Sequence, residues 1–221
     1  MGSIKVKICG ITRLQDALEA CDLGADILGF NFVPESPRYL NPYTAREIIE
    51  TLPPFVTTMG VFANEELSVL NDMAKFLTLD AVQLHGSEDA HYCRKVKSPV
   101  VKAIRVSSPV DLEGLDEYSV SAYLLDARVS GVLGGSGQTF HWKVAEDFCK
   151  SRKVFVAGGL TPENVGEAVR TLVPYGVDTA SGVETEPGIK DSALVEQFIK
   201  AARCAGIGNG GGCSEAAGQR S

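Results

Sequence analysis

Lys5-Val6-Lys7-Ile8-Cys9-Gly10-Ile11-Thr12-Arg13-Leu14-Gln15-Asp16-Ala17-Leu18-Glu19-Ala20-Cys21 holds one complete architectural unit at the start of the chain. An apolar run opening at Lys5 ends in a cysteine and a glycine, and Thr12 follows as a polar cap. Leu14, Ala17, Leu18 and Cys21 then recur at helical spacing. Strand, short loop and helix is the reading, and the pattern returns along the whole chain. Further runs rich in Val, Ile, Leu and Phe open near Asp26, Phe55, Ala81, Val100, Ala122, Lys153 and Gly176. Helices are expected at 14–23, 43–52, 65–77, 89–96, 112–118, 142–150, 163–172 and 192–203. Thr161-Pro162 and Asp191 are expected to open the last two.

The strands are nearly continuous apolar runs, which suits a parallel sheet covered on its outer face. Eight strand-then-helix units in a chain of 221 residues point to a single-domain (β/α)8 TIM barrel over residues 1–203. A doubly wound open sheet is the rival, but it calls for more polar edge strands, and none of these runs stands out that way. From Cys204 the pattern stops. Residues 204–221, opening on a glycine-rich stretch through Gly212, read as a flexible tail.

Composition narrows the partners. The formal net charge is -7, from 21 Lys+Arg against 28 Asp+Glu, which argues against nucleic acid and anionic membrane. The six cysteines include no CxxC pair, so neither a disulfide framework nor a structural zinc is indicated. No run spans a bilayer, and no basic-then-apolar leader precedes the first strand. The expectation is a cytoplasmic protein, monomer or homodimer, acting on a small molecule.

In such a barrel the chemistry sits where strands end and loops begin. Those positions hold Cys9-Gly10, Ser36-Pro37-Arg38, Gln83-Leu84-His85-Gly86, Arg105, Leu125-Asp126, Gly158-Gly159 and Asp178-Thr179-Ala180-Ser181-Gly182. Gly158, Gly159, Ser181 and Gly182 stand ahead of helices, where backbone N–H groups can approach an anion; phosphate is the reading, tight turns the alternative. Asp126 ends an apolar run, a setting that favours a protonated carboxyl, although it could equally cap a helix or order a loop. Arg38 follows two prolines and suits capture of a carboxylate, unless it is spent in an ion pair. His85 could meet a ligand or bond within its own loop. Lys7 shares a strand face with Cys9, in contact or merely parallel to it. Cys9 is either a thiol base candidate or a small core residue. No metal-ligand spacing occurs, and no GxGxxG opens the first unit, so no metal or cofactor is implied.

Taken in order, these segments closely resemble the phosphoribosylanthranilate isomerase family of tryptophan biosynthesis. The carriers are Lys7–Thr12, Ser36-Pro37-Arg38, Gly60-Val61-Phe62, Val82–Gly86, Leu124-Leu125-Asp126 and Gly134–Phe140. Ala157–Leu160 with Asn164-Val165, then Ser181–Glu184 with Pro187–Asp191, complete the set. The resemblance implies an Amadori rearrangement of a phosphorylated amino sugar, with Asp126 as general acid and Cys9 as general base. It further implies that Arg38 holds the anthranilate carboxylate. Gly158, Gly159, Ser181 and Gly182 would hold the phosphate, and Asp178 would order the sugar or the phosphate loop. Ala180 in place of a usual serine, His141 in place of an aspartate, and Asn31 are the departures from the family pattern. A related histidine-pathway isomerase would be expected to carry an aspartate pair, and a sugar-phosphate sensor would need no acid–base pair. Cys9 with Asp126 favours the anthranilate substrate.

Overall fold

In a computed structural model of the chain, which describes residues 3–126 and 139–206, eight parallel strands close into a barrel. They are β1 (Lys5–Cys9), β2 (Ile27–Asn31), β3 (Thr57–Phe62), β4 (Ala81–Leu84), β5 (Val100–Arg105), β6 (Ala122–Asp126), β7 (Val154–Ala157) and β8 (Gly176–Thr179). Each pairs with its neighbour in sequence. β1 closes the circle on β8, with Lys7 opposite Asp178. Among the described residues seven helices follow strands: α1 (Leu14–Asp22), α2 (Pro42–Thr51), α3 (Leu67–Phe76), α4 (Ala90–Lys95), α5 (Thr139–Ser151), α6 (Val165–Leu172) and α7 (Ser192–Gly206).

Alternation along each strand sorts the core into two layers. Val6, Ile8, Leu28, Phe30, Val82, Leu84, Leu125 and Val156 pack outward against buried helix residues such as Ala17, Ile48, Leu70, Val169 and Phe198. Ile27, Met59, Ala81, Val101, Ala103, Ala122, Leu124, Phe155 and Ala157 fill the barrel itself. The same alternation turns Lys7, Cys9, Gln83, Asp126 and Asp178 inward toward the C-terminal mouth.

Four expectations are corrected. The helix expected at 112–118 is replaced by two 3₁₀ turns, Pro109–Leu112 and Leu115–Glu117. Gly114 between them takes a left-handed φ of 70°, which ends one turn and starts the next. Thr12 does not cap α1; Arg13 is the N-cap residue, and the Thr12 hydroxyl donates instead to the Gly188 carbonyl. Thr161-Pro162 do not open α6, which begins at Val165 behind Asn164. The last helix runs on to Gly206 rather than stopping at Arg203. Asp191 does cap α7, its Oδ1 accepting from the N–H groups of Ala193 and Leu194. Unforeseen is a small antiparallel hairpin after β8, β9 (Glu184–Glu186) with β10 (Ile189–Lys190). The Gly134–Gln138 loop expected after β6 lies outside the described residues, as does the tail beyond 206; the side chains of His141 and Trp142 do too.

Candidate active site

One cavity of about 280 Å³ opens at the mouth of the barrel. Cys9, Arg38, Gln83, His85, Asp126, Gly158, Gly159, Asp178 and Ser181 all contribute to its wall. Of the residues given a candidate role, Cys9, Arg38, His85, Asp126, Gly158, Gly159, Asp178 and Ser181 border it directly, whereas Lys7, Gly182 and the strand-end Arg105 do not.

Lys7 is fully buried, with its Nζ 2.9 Å from Asp178 Oδ1. Burial works to lower the pKa of this ammonium. Asp178 and Cys9, each by charge and hydrogen bonding, more than reverse that and hold it well above the usual lysine value. The lysine stays charged beside the thiol. Gly29 of β2 makes the approach possible: a Cβ there would stand 2.8 Å from Cys9 Sγ and 3.0 Å from Lys7 Nζ. Elsewhere in the chain burial pushes the thiols of Cys21, Cys93 and Cys149 up, that of Cys149 to about 12.

Arg38 lies across Gly10, where an added Cβ would come within 2.5 Å of its Cδ, and Gly10 takes a φ of 77°. Its Nε donates to Glu184 Oε1 at 2.9 Å and to Oε2 at 3.1 Å, and its Nη2 donates to Oε2 at 2.5 Å. One edge of the guanidinium is thus engaged inside the protein. Burial acts to raise the Glu184 pKa, but Arg38 and Lys190 hold it below the usual carboxylate range. Lys190 Nζ donates to Glu184 Oε1 (2.7 Å) and to the carbonyl of Cys9 (2.6 Å). The hairpin after β8 accordingly braces both Arg38 and the backbone of the thiol.

Across the mouth, Asp126 Oδ2 lies 3.4 Å from His85 Nε2, and His85 Nδ1 lies 2.9 Å from Gln83 Nε2. The loop bearing His85 is fixed from below. Buried Lys102 donates from Nζ to the Gly86 carbonyl (2.7 Å) and to Glu88 Oε2 (2.8 Å). Asn31 serves its own loop, its Nδ2 donating to Ser36 Oγ and its Oδ1 accepting from Val33 N–H.

Between Asp126 and Cys9, on the shorter arc of the barrel, stand the ends of β7 and β8. Gly158 and Gly159 have φ of 96° and 70°, a region that residues with side chains rarely adopt. Ser181 opens a 3₁₀ turn, Ser181–Val183. Thr179 Oγ1 donates to the Leu160 carbonyl at 2.8 Å, and a Cβ on Gly182 would overlap that same carbonyl. The two loops are therefore fastened together, and Gly182 is the residue that lets them touch.

The sequence reading assigns no role to Glu184, Lys190 or Gln83. A polar residue two places before His85, in an otherwise apolar strand, is a usable sign for Gln83. Glu184 and Lys190 carry none by themselves, since their partners lie more than 140 residues away in the case of Arg38. Among the described residues no group of three or more His, Cys, Asp or Glu gathers as a metal site. No described helix is long and apolar enough to cross a membrane.

Comparison with known proteins places this architecture. The family model of N-(5'phosphoribosyl)anthranilate (PRA) isomerase matches residues 6–201. The N-(5'-phosphoribosyl)anthranilate isomerase of Pelobacter propionicus is 50% identical over 200 residues, covering 90% of this chain and 96% of that protein. The enzyme of Geobacter sulfurreducens is 48% identical over 200 residues, covering 90% and 98%. The crystal structure of phosphoribosyl anthranilate isomerase from Thermotoga maritima superposes with a TM-score of 0.82 at 45% identity, covering 90% of this chain and 98% of that one. Another solved isomerase, at 42% identity and a TM-score of 0.81 with the same coverage, is in complex with reduced 1-(o-carboxyphenylamino)-1-deoxyribulose 5-phosphate. With its barrel, its cavity and these relatives in agreement, the chain belongs to the N-(5'-phosphoribosyl)anthranilate isomerase family.

Proposed function

We propose that Cys9 and Asp126 divide the proton transfers by which this isomerase converts N-(5'-phosphoribosyl)anthranilate to 1-(2-carboxyphenylamino)-1-deoxyribulose 5-phosphate in tryptophan biosynthesis. Asp126, as the protonated acid, gives its proton to the ribose ring oxygen. The C1–O bond breaks as the anilino nitrogen lone pair moves in, leaving an open-chain iminium. Cys9, as thiolate, takes the C2 proton, and the released pair forms a C1=C2 enolamine and neutralises the nitrogen. Protonation at C1 and loss of the C2 hydroxyl proton complete the ketone, so the net change is isomerisation alone.

The observation that carries this reading is that Cys9 and Asp126 border one cavity from either side of the β7 and β8 loops. A phosphate bound by Gly158, Gly159, Ser181 and Gly182 there lies between acid and base. The charged Lys7 ammonium offsets the negative charge that Cys9 carries as base, and Asp178 keeps that ammonium in place. Because Glu184 occupies the Nε edge of Arg38, the anthranilate carboxylate meets the opposite, Nη1 edge. The chain's net charge of -7 fits a small-molecule partner rather than nucleic acid, and attraction for the substrate's negative groups comes from local cations and amides such as Arg38 and the loops after β7 and β8.

The test is turnover. Freshly generated phosphoribosylanthranilate loses its anthranilate fluorescence when the protein is added; a rate equal to background overturns the assignment. Cys9→Ser and Asp126→Asn each lower kcat by about 10²–10⁴-fold, the usual worth of a positioned acid or base. Affinity for the reduced product analogue stays within a few-fold. Equal losses in kcat and affinity would make them binding residues instead.

A further inference from the structure

Gln83 is 1% exposed and points into the barrel from β4, in the wall of the cavity beside His85. Its amide nitrogen, which can only donate, lies 2.9 Å from Nδ1 of His85. Its amide oxygen is buried without any hydrogen-bond partner in the protein. Turning the amide over would put the oxygen against Nδ1, but only if the ring carried its proton there. In the orientation found, the amide N–H is directed at Nδ1 of the imidazole and the amide oxygen, a buried acceptor, is left without a protein partner, a cost that this contact has to offset.

We propose that Gln83 is a positioning residue that selects the Nε2–H tautomer of His85, so that the imidazole presents a donor to Asp126. A neutral imidazole that accepts at Nδ1 carries its proton on Nε2, and Nε2 faces Asp126 Oδ2 at 3.4 Å. That donor orients the carboxyl group and meets the negative charge left on it once its proton has gone to the substrate. In the other tautomer a lone pair would face the same oxygen at the moment it becomes anionic. The loop is held firmly enough for the distinction to matter, since the His85 N–H donates to the Phe62 carbonyl at 2.8 Å and Lys102 anchors the residues around it. The proposal rests on Asp126 being the acid only for its kinetic consequence; the tautomer itself does not depend on that role.

The experiment reads both. The chain has three histidines, so ¹⁵N imidazole spectra of the whole protein are simple, and His85 is assigned by the signal lost in His85→Asn. In the unaltered protein at neutral pH, the His85 proton is expected on Nε2. Gln83→Glu, whose carboxylate accepts, brings a proton onto Nδ1. Gln83→Leu removes the donor together with the unsatisfied oxygen, adds no charge, and gives a mixture of tautomers in a folded protein. Both substitutions lower kcat by roughly 10- to 100-fold, part of the worth of a general acid, with KM within about threefold. In an Asp126→Asn background Gln83→Leu adds no further loss. A proton on Nδ1 in the unaltered protein, or His85 signals unmoved by both substitutions, overturns the proposal. An Asp126→Asn enzyme of full activity whose His85 tautomer still follows position 83 overturns the acid assignment and spares the tautomer.

Discussion

Lys7 is a lysine with no exposed surface, and its placement has an energetic signature. Removing one member of a buried ion pair strands the other, at a cost of about 3–5 kcal/mol, whereas replacing both with apolar residues is often nearly neutral. Lys7→Met should therefore lower stability by roughly that amount in urea denaturation, and Lys7→Met with Asp178→Leu should recover most of it. Activity should fail in both, because the charge beside Cys9 is gone. At this scale the sequence showed a good deal. Cys9 and Asp178 stand out where strands end, and the period of a strand places Lys7 on one face with Cys9. What it left open was whether the ammonium leans toward the thiol or merely runs parallel to it. That depends on Gly29, whose missing side chain provides the room, and on a partner 171 residues away.

Among the elements, the β9–β10 hairpin binds the site together through one carboxylate. Glu184 joins Arg38 to Lys190, and Lys190 to the backbone of Cys9. Its pKa in the folded chain is held below the ordinary glutamate value. The stability it lends is thus complete above the unfolded-state pKa of about 4.3 and is lost as pH falls through the lower folded value. Glu184→Gln should accordingly be less stable than the unaltered protein at neutral pH, and the gap measured by denaturant titration should close below about pH 4.5. The same substitution should raise KM for the substrate several-fold more than it lowers kcat, since Arg38 loses its brace. This hairpin escaped the sequence reading because its strands have three and two residues, too few for any period to register. The fifth connection failed for a different reason. Leu112, Leu115 and Tyr118 keep helical spacing, but Gly114 breaks the backbone between them, and the Tyr123 hydroxyl bonds the carbonyls of Leu115 and Tyr118 instead.

For the molecule as a whole, closure is the decisive act. β1 is flanked by β2 and β8, so the last barrel strand completes the pairing of the first. α7 then seals the seam, burying Val195, Phe198, Ile199 and Ala202 and packing on α1 and α6. Phe198→Ala should cost about 3–5 kcal/mol in urea unfolding, as a large cavity at a fully buried aromatic site does. Deleting residues 207–221, by contrast, should leave both the thermal midpoint and kcat unchanged, which would place the domain's end at the last turn of α7. The barrel itself was legible because nearly continuous apolar strands such as Val154–Ala157 belong in a parallel sheet covered outside and filled inside. The brace from Lys190 to the Cys9 carbonyl has a consequence for biosynthesis. The thiol is among the first groups made, yet Asp178, Glu184 and Lys190, which fasten its surroundings, come near the end. On the ribosome the nascent chain would therefore carry Cys9 without the Asp178 partner of Lys7 and without the Lys190 brace for most of its synthesis, and a product released before β8 would lack both.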